Sequence, residues 1–168
     1  LGYPSSNPLN LGFTINIAGH AAGAPGSYLG KENFGNGRKG REIWAVPGLR
    51  KYHGKDLFLT EALTKEVINA LNTPVKIKQP FFLYFALYGI HTPLMANERF
   101  IIPYREMGLE EPEARYASMI ESMDEALGKV LDYLEANQLE EDTVVLFISD
   151  NGGLSAVARG GEKHTHNY

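Results

Sequence analysis

Two apolar segments with the composition of buried β-strands constrain the fold more than any other feature of this sequence. Residues 81–88 are apolar on both faces, and residues 143–149 are rich in β-branched side chains. Each follows a segment whose apolar residues recur every three or four positions, which is typical of a helix that buries one face. This order of helix and strand predicts an α/β fold, in which helices cover a mostly parallel sheet.

The helical patterns have definite boundaries. The first begins after Lys55 and Asp56, and we expect it to end at Pro74, because proline cannot continue the hydrogen-bond pattern of a helix. The second is predicted from Pro112 to Asn137, since proline suits the first turn of a helix. Its expected buried face is a set of apolar residues at helical spacing: Tyr116, Ile120, Met123, Leu127, Val130 and Leu134.

The first third of the chain has a different composition. Residues 1–55 are rich in Gly, Pro, Asn and Ser, and only residues 13–18 resemble a short strand. Such long irregular stretches in a compact domain are usually functional or disordered, and the aromatic residues Tyr28, Phe34 and Trp44 indicate packing here. We therefore interpret residues 1–168 as part of one domain, with glycine-rich active-site loops at 1–55 and an α/β core segment at 56–168.

Composition excludes several classes of function. Lys and Arg number 16 against 20 Asp and Glu, a net charge of −4 without a basic run, so nucleic acid is a poor candidate partner. No apolar stretch is long enough to predict a membrane span. The sequence has no cysteine, which excludes disulfides, thiolate zinc sites and cysteine nucleophiles within these residues.

Polar side chains follow both predicted strands at the point where each strand ends. Asp150 and Asn151 follow the second, and their oxygens are of the kind that Ca²⁺ and Mg²⁺ prefer. Gly152 and Gly153 would let the backbone leave strand geometry, so that neighbouring side chains could face one ion. Asp, Asn and Gly are also the usual residues of turns, so a local turn is the alternative interpretation.

Two histidines are candidates for contact with a substrate. His91 follows the first predicted strand, where an imidazole could act as a general acid or bind an anion. His20 lies in a glycine-bounded loop whose amide groups could approach an anion. The alternative for each is a histidine hydrogen-bonded for structural reasons.

Three segments, in this order, resemble sulfatases of the alkaline-phosphatase superfamily: P-F-F-L-Y-F-A-L-Y-G-I-H-T-P-L at 80–94, Y-A-S-M-I-E-S-M-D-E-A-L-G-K-V-L at 116–131, and T-V-V-L-F-I-S-D-N-G-G at 143–153. The resemblance implies an alkaline-phosphatase-like fold that is incomplete at both ends. It also implies that Asp150 and Asn151 bind a divalent cation, usually Ca²⁺ with Mg²⁺ as the alternative. His91 matches the histidine that contacts the sulfate group or its leaving oxygen, and His20 becomes a candidate for substrate binding.

The residues missing from this pattern shape the functional prediction. In this family a formylglycine made within C-x-P-S-R attacks sulfur, and no such motif is present. We therefore expect the chain to be a central part of a sulfatase that is inactive alone, with the formylglycine upstream. The expected substrate is a sulfated carbohydrate or aryl sulfate. The family and the lack of N-x-S/T acceptors favour a periplasmic or secreted bacterial protein.

Two other functions remain open from the sequence. A phosphodiesterase or phosphonate hydrolase of the same superfamily is one, although D-N-G-G matches the single-metal pattern of sulfatases better. The other is a non-catalytic binding module that kept the fold. The residue at the upstream nucleophile position would distinguish them.

Overall fold

The computed structural model describes residues 7–35, 37, 40 and 42–155, and it divides the chain into two compact units, Leu1–Tyr88 and Gly89–Tyr168. The α-helices of the described residues are α1 (Leu59–Lys76), α2 (Ile101–Glu106) and α3 (Glu111–Ala136). Short 3₁₀ turns occur at Pro8–Asn10, Gly30–Glu32, Glu42–Trp44 and Arg50–Tyr52. Within the described part of the chain, no helix combines the length and hydrophobicity that crossing a membrane requires.

The core of the first unit forms where the glycine-rich loops pack on the start of α1. The ring of Tyr28 is fully buried and stacks on Phe58, with 5.3 Å between ring centroids. The Leu59 amide donates to the Tyr28 carbonyl at 2.8 Å, and the Tyr28 hydroxyl donates to the Tyr88 carbonyl at 2.6 Å. Phe34 is also fully buried, so the prediction of a packed loop region is confirmed for these residues.

Helix α1 begins as the sequence predicted but ends later. The side chain of Glu61 accepts a hydrogen bond from the Phe58 amide at 3.2 Å, which satisfies a free donor at the helix start. Pro74 lies inside the helix, so the prediction that it ends α1 was wrong. A proline in the last turn removes one donor only, and the next amides still find carbonyls: Ile77 N donates to Thr73 O at 3.2 Å.

Helix α3 dominates the second unit and agrees with the predicted boundaries to within one residue. Its buried face includes the predicted Tyr116, Val130 and Leu134, but also Met119, Ser118 and Ser122, whereas the predicted Ile120 is 41% exposed. The face that packs is therefore rotated towards two small polar residues. The reason is the chain segment before α2, which binds to these serines.

Asn97 connects that segment to α3 through a buried polar network. Its amide donates to Ser118 Oγ at 3.1 Å, and its Nδ2 donates to Ser122 Oγ at 2.8 Å. Its side-chain oxygen accepts from the Arg99 amide at 3.1 Å. The two serine hydroxyls donate in turn to carbonyls of α3, at Arg115 and Ser118. Every member thus has a partner, which is the condition under which buried polar groups stabilise a fold.

Replacing Asn97 with alanine is expected to lower the free energy of unfolding by about 1–3 kcal/mol, because Ser122 and the Arg99 amide lose their buried partner. Urea unfolding followed by circular dichroism measures this change. The matched control is Asn69→Ala, which removes an exposed hydrogen bond to Glu66 and should change stability by less than about 0.5 kcal/mol. Equal effects of the two changes would contradict the role of the network.

The predicted strands at 81–88 and 143–149 are not formed among the described residues, where the only β-type pairing is the isolated bridge between Leu29 and Phe58. Residues 13–18 also form no strand there. The exposed fractions of Phe82 and Ile148 are 80% and 79%, so the expectation that both faces are buried was wrong here. A strand needs a neighbour for its amides and carbonyls, and a hydrophobic pattern does not supply one.

Candidate active site

The Asp150–Asn151 tip is open to solvent. Both residues are exposed, directly after segment 143–149. The backbone around them is held by the Ser149 hydroxyl, which donates to the Asn151 carbonyl. The side chain of Ser149 therefore makes the hydrogen bond of the local turn, while Asp150 and Asn151 are exposed to solvent.

The chain beyond this tip lies against α3 and against the residue that precedes His91. A Cβ atom added to Gly153 would lie 2.6 Å from Tyr116 Oη and 3.8 Å from Ile90 Cδ1. The Leu154 amide donates to Tyr116 Oη at 3.1 Å. A Cβ atom added to Gly152 would have no neighbouring atom within 4 Å. A glycine is thus needed at position 153 because the Tyr116 hydroxyl lies too close to leave room for a Cβ atom. Neither Gly152 nor Gly153 has a positive φ angle.

His91 is exposed, and one of its ring nitrogens is fixed by the neighbouring residue. Nδ1 lies 2.9 Å from the Thr92 carbonyl and 3.2 Å from the Thr92 hydroxyl. A carbonyl oxygen only accepts, so Nδ1 carries the hydrogen in this contact. Nε2 then accepts a proton, or donates one when the ring is charged, which is the chemistry of an acid or an anion contact.

Within the second unit, the structure brings the residue before His91 close to the backbone that follows Asn151. Ile90, next to His91, and Gly153, two residues after Asn151, lie at contact distance across the Tyr116 side of α3. The ends of two neighbouring parallel strands would also lie close together at one edge of a sheet, but the described residues contain no sheet. The roles of His91, Asp150 and Asn151 in chemistry stay predictions at this point.

His20 belongs to the first unit, where both of its ring nitrogens have protein partners. Nε2 lies 3.1 Å from the Ile43 carbonyl, and Nδ1 lies 2.7 Å from the Tyr88 hydroxyl. The Tyr88 hydroxyl also lies 2.7 Å from the Ala18 carbonyl, and burial raises the pKa of Tyr88 to about 12, so this hydroxyl stays protonated at neutral pH. His20 thus links Ile43 to Tyr88, and its direct contact with substrate stays a prediction.

The donor chemistry of the tip fits a hard divalent cation, but the tip is not a complete site. A carboxylate and a carboxamide supply two oxygens, whereas Ca²⁺ takes about six to eight. The described ranges contain no cluster of three or more His, Cys, Asp or Glu residues that could hold a metal. The residues therefore fit part of a calcium shell, and no cluster of carboxylates and histidines among the described residues completes it.

Comparison with known proteins places this geometry in a family. Residues 16–168 match the family described as Sulfatase. The chain belongs to the sulfatase family. Sulfatases with sequence similarity include a sulfatase of Formosa agariphila, 29% identical over 70% of this chain and 22% of its own length. N-acetylgalactosamine-6-sulfatase of Mus musculus is 31% identical over 61% of this chain and 19% of its own length.

Two solved structures share the fold over almost the whole chain. The crystal structure of Ps i-CgsB in complex with k-i-k-neocarrahexaose has a TM-score of 0.68 and 26% sequence identity. It matches 96% of this chain, and this chain covers 37% of it. The structure of Ps i-CgsB described without that compound gives a TM-score of 0.67. The chain thus spans little more than a third of these two solved structures and about a fifth of the two relatives above.

Sequence reasoning missed two tyrosines that shape these sites. In the sequence, Tyr116 is one of the apolar residues on the predicted buried face of α3, and Tyr88 is the last residue of the apolar segment 81–88. In the structure the hydroxyl of each holds a chain segment that carries a candidate residue. The available signal was the polar end of a tyrosine on a buried face, since a buried hydroxyl needs a partner.

Proposed function

We propose that the full-length protein containing this chain is a sulfuric ester hydrolase that removes sulfate from a sulfated carbohydrate or an aryl sulfate ester. Asp150 and Asn151 provide two oxygen ligands for Ca²⁺, with Mg²⁺ as the alternative, and His91 acts at the sulfate group. Because these residues include no cysteine, a formylglycine nucleophile would come from another part of the protein. The 168 residues alone are then inactive towards sulfate esters.

One observation carries this proposal: His91 and the Asp150–Asn151 tip belong to chain segments that meet, in a chain of the sulfatase family. Ile90 Cδ1 lies 3.8 Å from the Cβ position of residue 153. We propose that the exposed imidazole of His91 and the exposed carboxylate of Asp150 act on one substrate, because an ion and an acid must both reach the same sulfate group.

The chemistry assigned to His91 follows from its tautomer. With Nδ1 held by the Thr92 carbonyl, we assign proton exchange to Nε2. When the ring is charged, Nε2 would give its proton to the ester oxygen as the bond from sulfur to that oxygen breaks and sulfur bonds to the nucleophile supplied by another part of the protein, so that the product leaves as an alcohol. Protonation of the leaving group is general acid catalysis.

Asp150 and Asn151 serve the anionic part of the substrate. A bound divalent cation would supply electrostatic stabilisation of the negative charge on the sulfate oxygens. The carboxylate of Asp150 offsets the charge of that cation, which the neutral amide of Asn151 does not. Their exposure leaves both oxygens accessible to an ion and a substrate together.

The fold and location of the full-length protein belong to the same proposal. Residues 81–88 and 143–149 are proposed to be strands of a helix-covered, mostly parallel sheet whose other strands lie elsewhere in the protein. Support comes from the exposed apolar side chains along them, including Phe82, Val144 and Ile148, and from the 96% match to a solved fold. A periplasmic or secreted location is proposed from the family alone.

A substrate screen of the purified full-length protein tests the activity. We expect hydrolysis of 4-nitrophenyl sulfate or of sulfated monosaccharides, lost on treatment with a calcium chelator and restored by added Ca²⁺. The matched phosphate diester and phosphonate esters are the comparison substrates. Faster turnover of these would establish the phosphodiesterase alternative, and no turnover of any ester, with calcium binding retained, would favour a binding module.

A further inference from the structure

The contact between α3 and the segment after the tip has a feature that the proposed chemistry does not use. Tyr116 is 8% exposed, and its hydroxyl oxygen accepts a hydrogen bond from the Leu154 amide at 3.1 Å. The same oxygen lies only 2.6 Å from the Cβ position of Gly153. A side chain of α3 thus reaches the backbone two and three residues beyond Asn151.

We propose that Tyr116 is a positioning residue for the Asp150–Asn151 metal ligands, and that Gly153 is required because its backbone packs against the Tyr116 hydroxyl. This inference rests on the proposed function, in that it assigns metal binding to Asp150 and Asn151. Tyr116 touches neither the metal nor the substrate. It acts by fixing the position of the backbone at Gly153 and Leu154, directly after the two ligands.

The physical reason is that the tip has few other restraints among the described residues. Residues 144–153 are exposed, and the side chain of Ser149 reaches only the carbonyl of Asn151, within the same turn. Tyr116 is the restraint that comes from a helix, and a helix places its side chains more precisely than a loop does. Groups that orient metal ligands commonly change metal affinity about 10- to 100-fold when removed.

The distances around Gly153 predict how two mutations combine. Gly153→Ala puts a methyl group 2.6 Å from the Tyr116 oxygen, which real contacts do not tolerate, so the backbone or the ring has to move. Tyr116→Phe removes that oxygen. The nearest atoms are then Ile90 Cδ1 at 3.8 Å and Tyr116 Cζ at 3.9 Å, which are ordinary contact distances. The second mutation should therefore relieve the first.

The experiment measures Ca²⁺ affinity of the full-length protein by calorimetry, in the wild type, Tyr116→Phe, Gly153→Ala and the double variant. We expect Tyr116→Phe to weaken Ca²⁺ binding about 10-fold and Gly153→Ala to weaken it more. The double variant should bind Ca²⁺ about as well as Tyr116→Phe, and therefore better than Gly153→Ala. Thermal unfolding without Ca²⁺ separates this from a purely structural role, which would lower stability and leave Ca²⁺ affinity unchanged.

Matched controls come from the same chain. Tyr133→Phe removes a hydroxyl from the same helix about 25 Å along its axis, and should leave Ca²⁺ affinity as in the wild type. Gly152→Ala adds a methyl group where nothing lies within 4 Å, so its effect should be smaller than that of Gly153→Ala. An equal loss of affinity for the two glycine variants would overturn the proposed packing requirement.

The remaining outcomes separate this inference from the proposed function. If Tyr116→Phe binds Ca²⁺ as the wild type does while sulfate ester hydrolysis depends on Ca²⁺, positioning by Tyr116 is wrong and the function stands. If the wild type and the three variants show the expected affinities but no sulfate ester is hydrolysed, the inference stands and the function is wrong. Failure of the wild-type protein to bind Ca²⁺ or Mg²⁺ overturns both.

Discussion

The full-length protein with His91→Ala is expected to hydrolyse a sulfate ester about 10²- to 10⁴-fold more slowly than the wild type, because the group that protonates the leaving oxygen is lost. The loss should appear in kcat. It should also depend on the leaving group: an alkyl or carbohydrate sulfate, whose alkoxide is a poor leaving group, should lose more than 4-nitrophenyl sulfate. Steady-state kinetics on both substrates measure the difference.

Two further variants show which nitrogen of His91 matters. His91→Asn keeps a donor near the Nδ1 position, where it can still bind the Thr92 carbonyl, but it has no group at Nε2. We expect it to be as slow as His91→Ala. His53→Ala, which removes an exposed histidine of the first unit, should retain wild-type rates. Recovery of activity in His91→Asn would assign His91 a structural role and contradict proton transfer through Nε2.

Asp150→Asn in the full-length protein is expected to lower kcat on sulfate esters by about 10²- to 10³-fold and to raise the Ca²⁺ concentration needed for activity. The change keeps the size of the side chain and removes its charge, so the bound cation loses the compensation that a carboxylate gives. The magnitude corresponds to the loss of one group that stabilises developing charge. Activity titrated with Ca²⁺ separates weaker binding from slower turnover.

The control for Asp150→Asn is Asp142→Asn. Asp142 is an exposed aspartate at the opposite end of segment 143–149, so the change removes the same charge at a distance from the tip. Wild-type Ca²⁺ dependence is expected there. Wild-type Ca²⁺ dependence in Asp150→Asn as well would contradict the assignment of Asp150 as a metal ligand.

The helices were largely predictable because their signals are local. In α3, Pro112 marks the first turn, and apolar residues at helical spacing continue to Leu134, so the boundaries follow from neighbouring residues alone. Pro74 shows the limit of a local rule. Proline disfavours a helix interior, but in the last turn of α1 the following amides keep their partners and the helix continues to Lys76.

The candidate site was predictable only in part. His91, Asp150 and Asn151 could be selected from their positions after apolar segments, and the meeting of these segments at Ile90 and Gly153 agrees with that selection. The hydrogen-bond partners of the two ring nitrogens of His20 could not be predicted, because they are carbonyl and hydroxyl groups 23 and 68 residues away in sequence. Hydrogen-bond partners at such separations leave no periodic pattern.

The sequence by itself determined that α1 and α3 are helical, which segments are apolar and which polar residues follow them, since these properties depend on nearest neighbours and composition; helix α2 was not predicted. Only the tertiary structure decided that α3 turns Ser118 and Ser122 towards Asn97, and that the Tyr116 hydroxyl meets the backbone at Gly153. The physical reason is that close contacts require particular atoms from distant parts of the chain to arrive together. In the sequence, a glycine that is required because a neighbouring atom leaves no room for a Cβ cannot be distinguished from a glycine that is required by a turn.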